Sequence, residues 1–170
     1  MAHRESSREL SREPLMDQVD WKIIEGLQED ARLSYAELGR MVGLSTPAAA
    51  ERVRRIEDAG IITGYHAAVC FEKLGLPIAV VVRLNVGGGE IPLLRVVKAA
   101  KSLPEIVECE RVSGSDSFML KARVCSVEHL ESLINRLNTL GSTTTSTVLS
   151  SPIRRRTIRK TDVDECRAKH

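Results

Sequence analysis

Between Met16 and Gly60 the chain sets three apolar-periodic stretches end to end with only three or four residues between them, and that spacing leaves few folds open. In DQVDWKIIEGLQED, Val19, Ile23, Ile24 and Leu27 recur at helical intervals, and Asp17 stands where an N-cap belongs. In SYAELGRMVGLS, Ser34 and Glu37 form an S-x-x-E capping box, Leu38 and Val42 make a short apolar stripe, and Gly43 is a natural C-cap. Ser45 then caps STPAAAERVRRIEDAG, whose first turn tolerates Pro47 and whose end is marked by Gly60. Two capped helices separated by GLS, with a third ahead of them, make a helix-turn-helix pattern. The following IITGYHAAV reads as extended chain, a wing or hinge.

The third helix decides between a solvated surface helix and a reading head. At 100° per residue Ala49, Val53 and Ile56 fall together as a core stripe, while Pro47, Ala48, Glu51, Arg54, Arg55 and Asp58 lie away from it and Arg52 lies on the flank. The outward face is small at its N-terminal half and cationic at its C-terminal half. A major groove about 12 Å wide admits one helix, and small residues at the leading end permit close approach to base edges. Ser45, Thr46, Pro47, Ala48, Glu51, Arg52, Arg54 and Arg55 are therefore the candidate DNA-contacting residues, the arginines reaching phosphates or a guanine edge. A merely solvated charged face competes with this reading for any R-x-R-R; the capped helix ahead and the three-residue turn favour double-stranded DNA.

Charge is local rather than global. The net +2 conceals a balanced 1–14, a net −3 over 15–64, +1 over 65–153 and +4 over 154–170. Glu51 and the acidic first helix imply modest affinity for one copy, which a dimer offering two helices to successive grooves offsets. The stretch 154–170, with RRRTIRK, reads either as an arm for the DNA backbone or as a solvated end, and both remain open. Residues 1–15 alternate charge and serine without an apolar period and read as a disordered arm.

Beyond a linker at 65–76 the rhythm changes. PIAVVVRLNV is a strand by β-branched content; EIPLLRVVKAAKSL is a helix with Ile91, Leu94, Val97 and Ala100 or Lys101 on one side. EIVECERVSG and SFMLKARV are strands joined by a turn at Gly114–Asp116. SVEHLESLINRLNTL is a helix capped by Ser126 with a stripe of Val127, Leu130, Leu133, Ile134 and Leu137, and STTTSTVLSSPI is a last, threonine-rich strand. The order β-α-β-β-α-β over 77–153 is ferredoxin-like, so the fold class expected is α+β, a helix-turn-helix domain at 16–64 followed by a ferredoxin-like domain.

VDWKIIEGLQEDARLSYAELGRMVGLS and ERVRRIEDAGIITGYHA resemble the N-terminal domain of the Lrp/AsnC family of prokaryotic transcriptional regulators, and ECERVSGSDSFMLKARV with TTTSTVLSS resembles that family's regulatory domain. The resemblance spans about 16–153. It implies a transcription factor whose second domain dimerises, often assembles further to an octamer, and binds a small-molecule effector, commonly an amino acid, between subunits. The effector residues it implies are Gly114, Ser115, Asp116, Ser117 and Phe118 in and after the turn, and Thr143 and Thr145 on the last strand. Ser117 stands where the family commonly carries an aspartate, with Asp116 one residue earlier, so a neutral hydroxyl replaces a charged acceptor for an ammonium. An architectural DNA binder without effector response is the reading this departure keeps in view. A decarboxylase of sirohaem-type tetrapyrroles on the same architecture is the enzymatic alternative, disfavoured by the intact TPAAAERVRR helix.

Other chemistries find little support. VGGGE lacks the Lys-Ser/Thr of a phosphate loop. The four histidines show no metal spacing and read as incidental, and no cofactor is expected. Aromatics make up only 3%, too few for a base-stacking platform. Cys70, Cys109, Cys125 and Cys166 are too dispersed for a disulfide framework, and no apolar run is long enough for a membrane span, so a cytoplasmic protein without membrane contact is expected.

Overall fold

A computed structural model of the chain describes residues 16–87 and 89–169; the arm read at 1–15 lies outside them. The chain divides into two compact units, one made of residues up to Ala67 together with Ile153–His170, the other of Ala68–Pro152.

The first unit opens with helices α1 (Gln18–Glu29), α2 (Tyr35–Val42) and α3 (Thr46–Asp58). Each starts as its sequence dictates. The Asp17 carboxylate accepts from the backbone of Val19 and Asp20, and the Asp20 side chain returns a bond to the Asp17 backbone. Ser34 and Glu37 form the reciprocal box on α2, and Ser45 Oγ accepts from Ala48 N at the start of α3. Gly43 ends α2 in the left-handed region at φ 74°, which a side chain adopts only at a cost. The turn after it is tight: Leu44 N bonds Gly39 O at 2.8 Å, and a Cβ on Gly39 would lie 2.6 Å from Leu44 O. Ile23, Ile24, Leu27, Leu38, Ala49, Val53 and Ile56 form the buried core of the three helices.

The C-terminal segment, read from sequence without a regular element, ends in helix α6 (Lys160–Ala168) and belongs to this same unit. The Gln28 side-chain amide brackets the Ile158 peptide, its Nε2 donating to the carbonyl and its Oε1 accepting from the N–H, both at 3.0 Å. Lys160 N donates to Glu25 Oε1 at 3.2 Å. Chain ends of this kind are ordered only when tied down, and α1 supplies the ties.

The second unit runs β1 (Ile78–Asn85), α4 (Glu90–Ser102), β2 (Ile106–Arg111), β3 (Phe118–Val124), α5 (Val127–Asn138) and β4 (Ser142–Thr147). The four strands form one antiparallel sheet in the order β2-β3-β1-β4, the split arrangement expected of the ferredoxin-like pattern. A 3-10 turn at Phe71–Leu74 precedes β1. Alternation along β1 and β3 buries Val80, Val82, Leu84, Phe118, Leu120, Ala122 and Val124 on one face, against Val96 of α4 and Leu133 and Leu137 of α5. On the other face Arg123 lies over the Phe71 ring, 4.6 Å from its centroid, and reaches Glu72 at 3.5 Å. The α4 side chains Ile91, Leu94 and Val97 turn outward, 75%, 59% and 37% exposed, because Val96 and Leu93 make the contacts with the core.

Candidate nucleic-acid interface

Helix α3 owes its exposure to its composition. Ala49, Ala50, Val53 and Ile56 are buried, while Ser45, Thr46, Pro47, Glu51, Arg54 and Arg55 are exposed and Ala48 and Arg52 are half-buried. The leading end of the helix therefore presents two hydroxyl residues, a proline and an alanine, with the Ser45 hydroxyl engaged as the cap. An exposed helix start of small residues is what groove entry requires.

The arginines divide into two kinds. Arg54 is exposed and has no hydrogen-bond or ion-pair partner among the described residues. Arg52 and Arg55 converge instead on Asp20, whose side chain is 2% exposed. Arg52 Nη1 lies 2.9 Å from Oδ1 and 2.6 Å from Asp17 Oδ2; Arg55 Nη2 lies 2.8 Å from Oδ1 and 2.7 Å from Oδ2 of Asp20. The bonds to Asp17 and Asp20 push the Arg52 guanidinium further up, and the Asp20 backbone N–H together with Arg52 holds the Asp17 carboxyl below its usual range. Two of the acids that make α1 look hostile to DNA are thus neutralised from α3, and the same bonds fix where α3 sits on α1. Pairs 32 and 35 residues apart leave no mark in any local pattern.

The residues of the implied effector site gather at the C-terminal end of β1. Leu84 pairs with Phe118 on one side and Thr143 on the other, and Ser117 N donates to Leu84 O at 2.9 Å. Gly114 takes φ 123° at the exposed tip, and Asn85 Nδ2 donates to Ser115 O. Asp116 faces Arg83 across a loose 4.0 Å. Ser117 Oγ accepts from Val86 N at 3.2 Å and donates to Val86 O at 3.3 Å, a pair of bonds that an ionised aspartate cannot make because it has no proton to give. Phe118 is 2% exposed in the core. Thr143 and Thr145 lie on the helix-covered face, in register with Leu84 and Val82, and Thr143 donates to Asn138 Oδ1 at 2.6 Å. Among these residues Gly114, Ser115 and Asp116 remain the most open to a ligand; Ser117, Phe118 and Thr143 already have protein partners.

Among the described residues no group of His, Cys, Asp and Glu has the geometry to hold a metal ion, and no helix is long and apolar enough to cross a membrane.

Comparison with known proteins accounts for both units. The model of the AsnC-type helix-turn-helix domain matches residues 16–57, and that of the Lrp/AsnC ligand binding domain matches residues 79–158. The chain is 39% identical over 135 residues to the transcriptional regulator LrpC of Bacillus subtilis, covering 79% of this chain and 92% of that protein. It is 35% identical over 127 residues to the leucine-responsive regulatory protein of Haemophilus influenzae, covering 74% and 76%. The solved structure of Bacillus subtilis LrpC superposes with a TM-score of 0.77 at 38% identity, covering 82% of this chain and 99% of that one. Two domain models in the right order, spanning an exposed capped helix and a four-stranded sheet, show that the chain belongs to the Lrp/AsnC family: it is a DNA-binding transcriptional regulator with a ligand-binding domain.

Proposed function

We propose that two or more copies of this chain bind an operator together, each reading a major groove with the leading end of α3 and none catalysing a reaction. The observation that carries this reading is the division on α3: Thr46, Pro47, Glu51 and Arg54 stand free on the exposed face, while Arg52 and Arg55 hold the helix on α1. Thr46 and Glu51 are assigned to base edges, and Arg54 and the exposed edge of Arg55 to phosphates. So few polar groups at the leading end imply a degenerate operator, held largely by backbone contacts and DNA shape. The setting is the cytoplasm, where the DNA lies. The test is a mobility-shift series on DNA upstream of the gene, using full-length Thr46→Ala, Glu51→Ala and Arg54→Ala proteins. Arg54→Ala is expected to lower affinity on every sequence and to reduce the slope of log K against log salt by about 0.9. Folded Arg54→Ala and Thr46→Ala proteins that bind at full strength would remove the assigned face.

The effector is assigned to the end of β1 beside the turn. Asp116 and Arg83, loosely paired there, offer opposite charges to the ammonium and carboxylate of a free amino acid, and a relative 35% identical is named for its response to leucine. Thermal-shift screening of the twenty amino acids checks this: a ligand at 100-fold over its Kd adds about 2.7 kcal/mol to the folded state. Silence across the set, or an Asp116→Asn protein that responds unchanged, removes the assignment. Self-association is supported by Ile91, Leu94, Val97 and Val107, an exposed apolar group on α4 and β2 that a second copy would cover. A dimer, and an octamer built from dimers, would be read by light scattering. The masses of the wild-type chain and of Leu94→Glu would show whether this face takes part.

A further inference from the structure

Outside both regions, three titratable side chains stand in line at the joint between β3, α5 and the start of β2. Cys125, just past β3, has its Sγ 3.2 Å from Nδ1 of His129. Nε2 of the same ring lies 2.9 Å from Oε1 of Glu105, which also accepts from Arg136 Nη2. The ring is held by its backbone as well, since His129 N donates to Ser126 Oγ at the cap of α5. Thiol, imidazole and carboxylate thus follow the order of nucleophile, base and orienter. In the neutral ring, with Glu105 accepting from Nε2–H, Nδ1 carries the lone pair that faces the thiol; Glu105 and Cys125 favour the protonated ring, so this form gains as pH rises.

The far end of this line is buried. Glu105 is 8% exposed, and its Oε2 has no hydrogen-bond partner among the described residues. Oε1 carries both charged partners, His129 and Arg136, which offset the burial, and the orphan Oε2 is the part of the group that stability alone does not explain. The near end is open: Cys125 is exposed and His129 half-buried, so a small reagent reaches the sulfur without any closed pocket. The other three thiols are exposed too, and among the described residues none of them has an imidazole bonded to it. Cys70 donates to the Glu72 carboxylate, burial pushes the Cys109 thiol up, and Cys166 lies on α6.

We propose that Cys125 is a base-assisted modification site for hydroperoxides, an input to the regulatory domain separate from its ligand-binding function. Sγ attacks the distal oxygen; the S–O bond forms as the O–O bond breaks. His129 takes the thiol proton at Nδ1 and delivers it to the departing oxygen, leaving a sulfenic acid on Cys125 and water, or an alcohol from an organic peroxide. The sulfur gives up two electrons and the peroxide accepts them. Hydroperoxides suit the site better than electrophiles without a basic leaving group, because only the former use the proton that His129 has taken.

The test treats the full-length protein with hydrogen peroxide in the presence of a 1,3-diketone that traps sulfenic acid. Mass spectrometry then follows labelling at all four cysteines. Cys125 should be labelled at least about tenfold faster than Cys109 and Cys166, below the 10²–10⁴ typical of positioned acid–base groups. His129→Gln and His129→Asn should bring it down to their level, and added imidazole should restore the rate in His129→Ala, which a purely structural role would not allow. Cys125 labelling no faster than the other thiols overturns the proposal. So does an unchanged rate in folded His129→Gln and His129→Asn proteins.

Discussion

The clamp on Asp20 makes an asymmetric prediction about stability. Asp20→Ala removes a buried carboxylate that bonds two guanidiniums and the Asp17 N–H, but the groups it releases rehydrate: Arg52 and Arg55 are 26% and 59% exposed. With bonds to charged groups worth about 1.5–3 kcal/mol each and no charge left stranded, the expected loss is about 2–3 kcal/mol. The reverse change, Arg52→Ala with Arg55→Ala, leaves the carboxylate buried without a counter-charge, for which about 3–5 kcal/mol is expected. Removing all three groups should recover part of that loss and bring the triple variant close to Asp20→Ala alone. Trp21, the single tryptophan, sits on α1 next to the clamp and reports urea unfolding of this unit by fluorescence. A double arginine variant no less stable than Asp20→Ala, or a triple variant no better than the double, would refute the assignment of these arginines to Asp20. Loss of DNA binding in the double variant would then have to be read as lost contacts rather than a displaced helix.

Other expectations follow from single contacts. Gly39→Ala should cost about 1–3 kcal/mol by the same fluorescence assay, since its Cβ would meet the Leu44 carbonyl, a backbone atom that cannot swing away. Gln28→Ala should free the C-terminal segment, seen as faster tryptic cleavage at Arg154–Arg156 with little change in α1 itself. Burial alone would push the Glu105 carboxyl up, but Arg136 and His129 outweigh it and hold it down at about 2. A depressed carboxyl stabilises the fold above its unfolded value near 4.5 and ceases to do so as pH falls towards 2, so Glu105→Gln should narrow the gap to wild type over that range. Glu105, with Cys125 after it, raises His129, whose contribution is full below about 6.5 and fades at higher pH. The difference in Tm between wild type and His129→Gln should therefore shrink from pH 6 to pH 9.

The helix starts and the strand order were legible because each rests on residues a few positions apart. Asp17, Ser34 with Glu37, Gly43 and Ser45 perform in the structure the local tasks their neighbours assign them. What escaped reading depends on distance along the chain. Helical spacing groups Ile91, Leu94 and Val97 on one side of α4, but only the packed sheet decides that Val96 and Leu93 face inward. Spacing likewise places Arg52 and Arg55 near the outer face of α3, with no means of knowing that Asp20 would be buried beneath them. His129 looked incidental because Glu105 lies 24 residues away.

The charge of the DNA-binding unit shows why this matters for function. Residues 15–64 alone carry −3, an unpromising balance for a partner with one negative charge per about 1.7 Å of axis. Folding changes first the distribution of that charge and then its sum. Asp17 and Asp20 are consumed by α3's own arginines, and the C-terminal segment, carrying +4, joins the same unit through Gln28 and Glu25. The internal pairs leave the sum as it was, and the segment's +4 alone brings the unit from −3 to +1. If that sum matters, removing residues 153–170 from the full chain should weaken DNA binding on all sequences alike and most at low salt. If the segment serves only to brace α1, its loss should lower the stability reported by Trp21 and leave the salt slope unchanged. The two measurements separate a charge effect from a packing effect, because screening by salt acts on the first and hardly on the second.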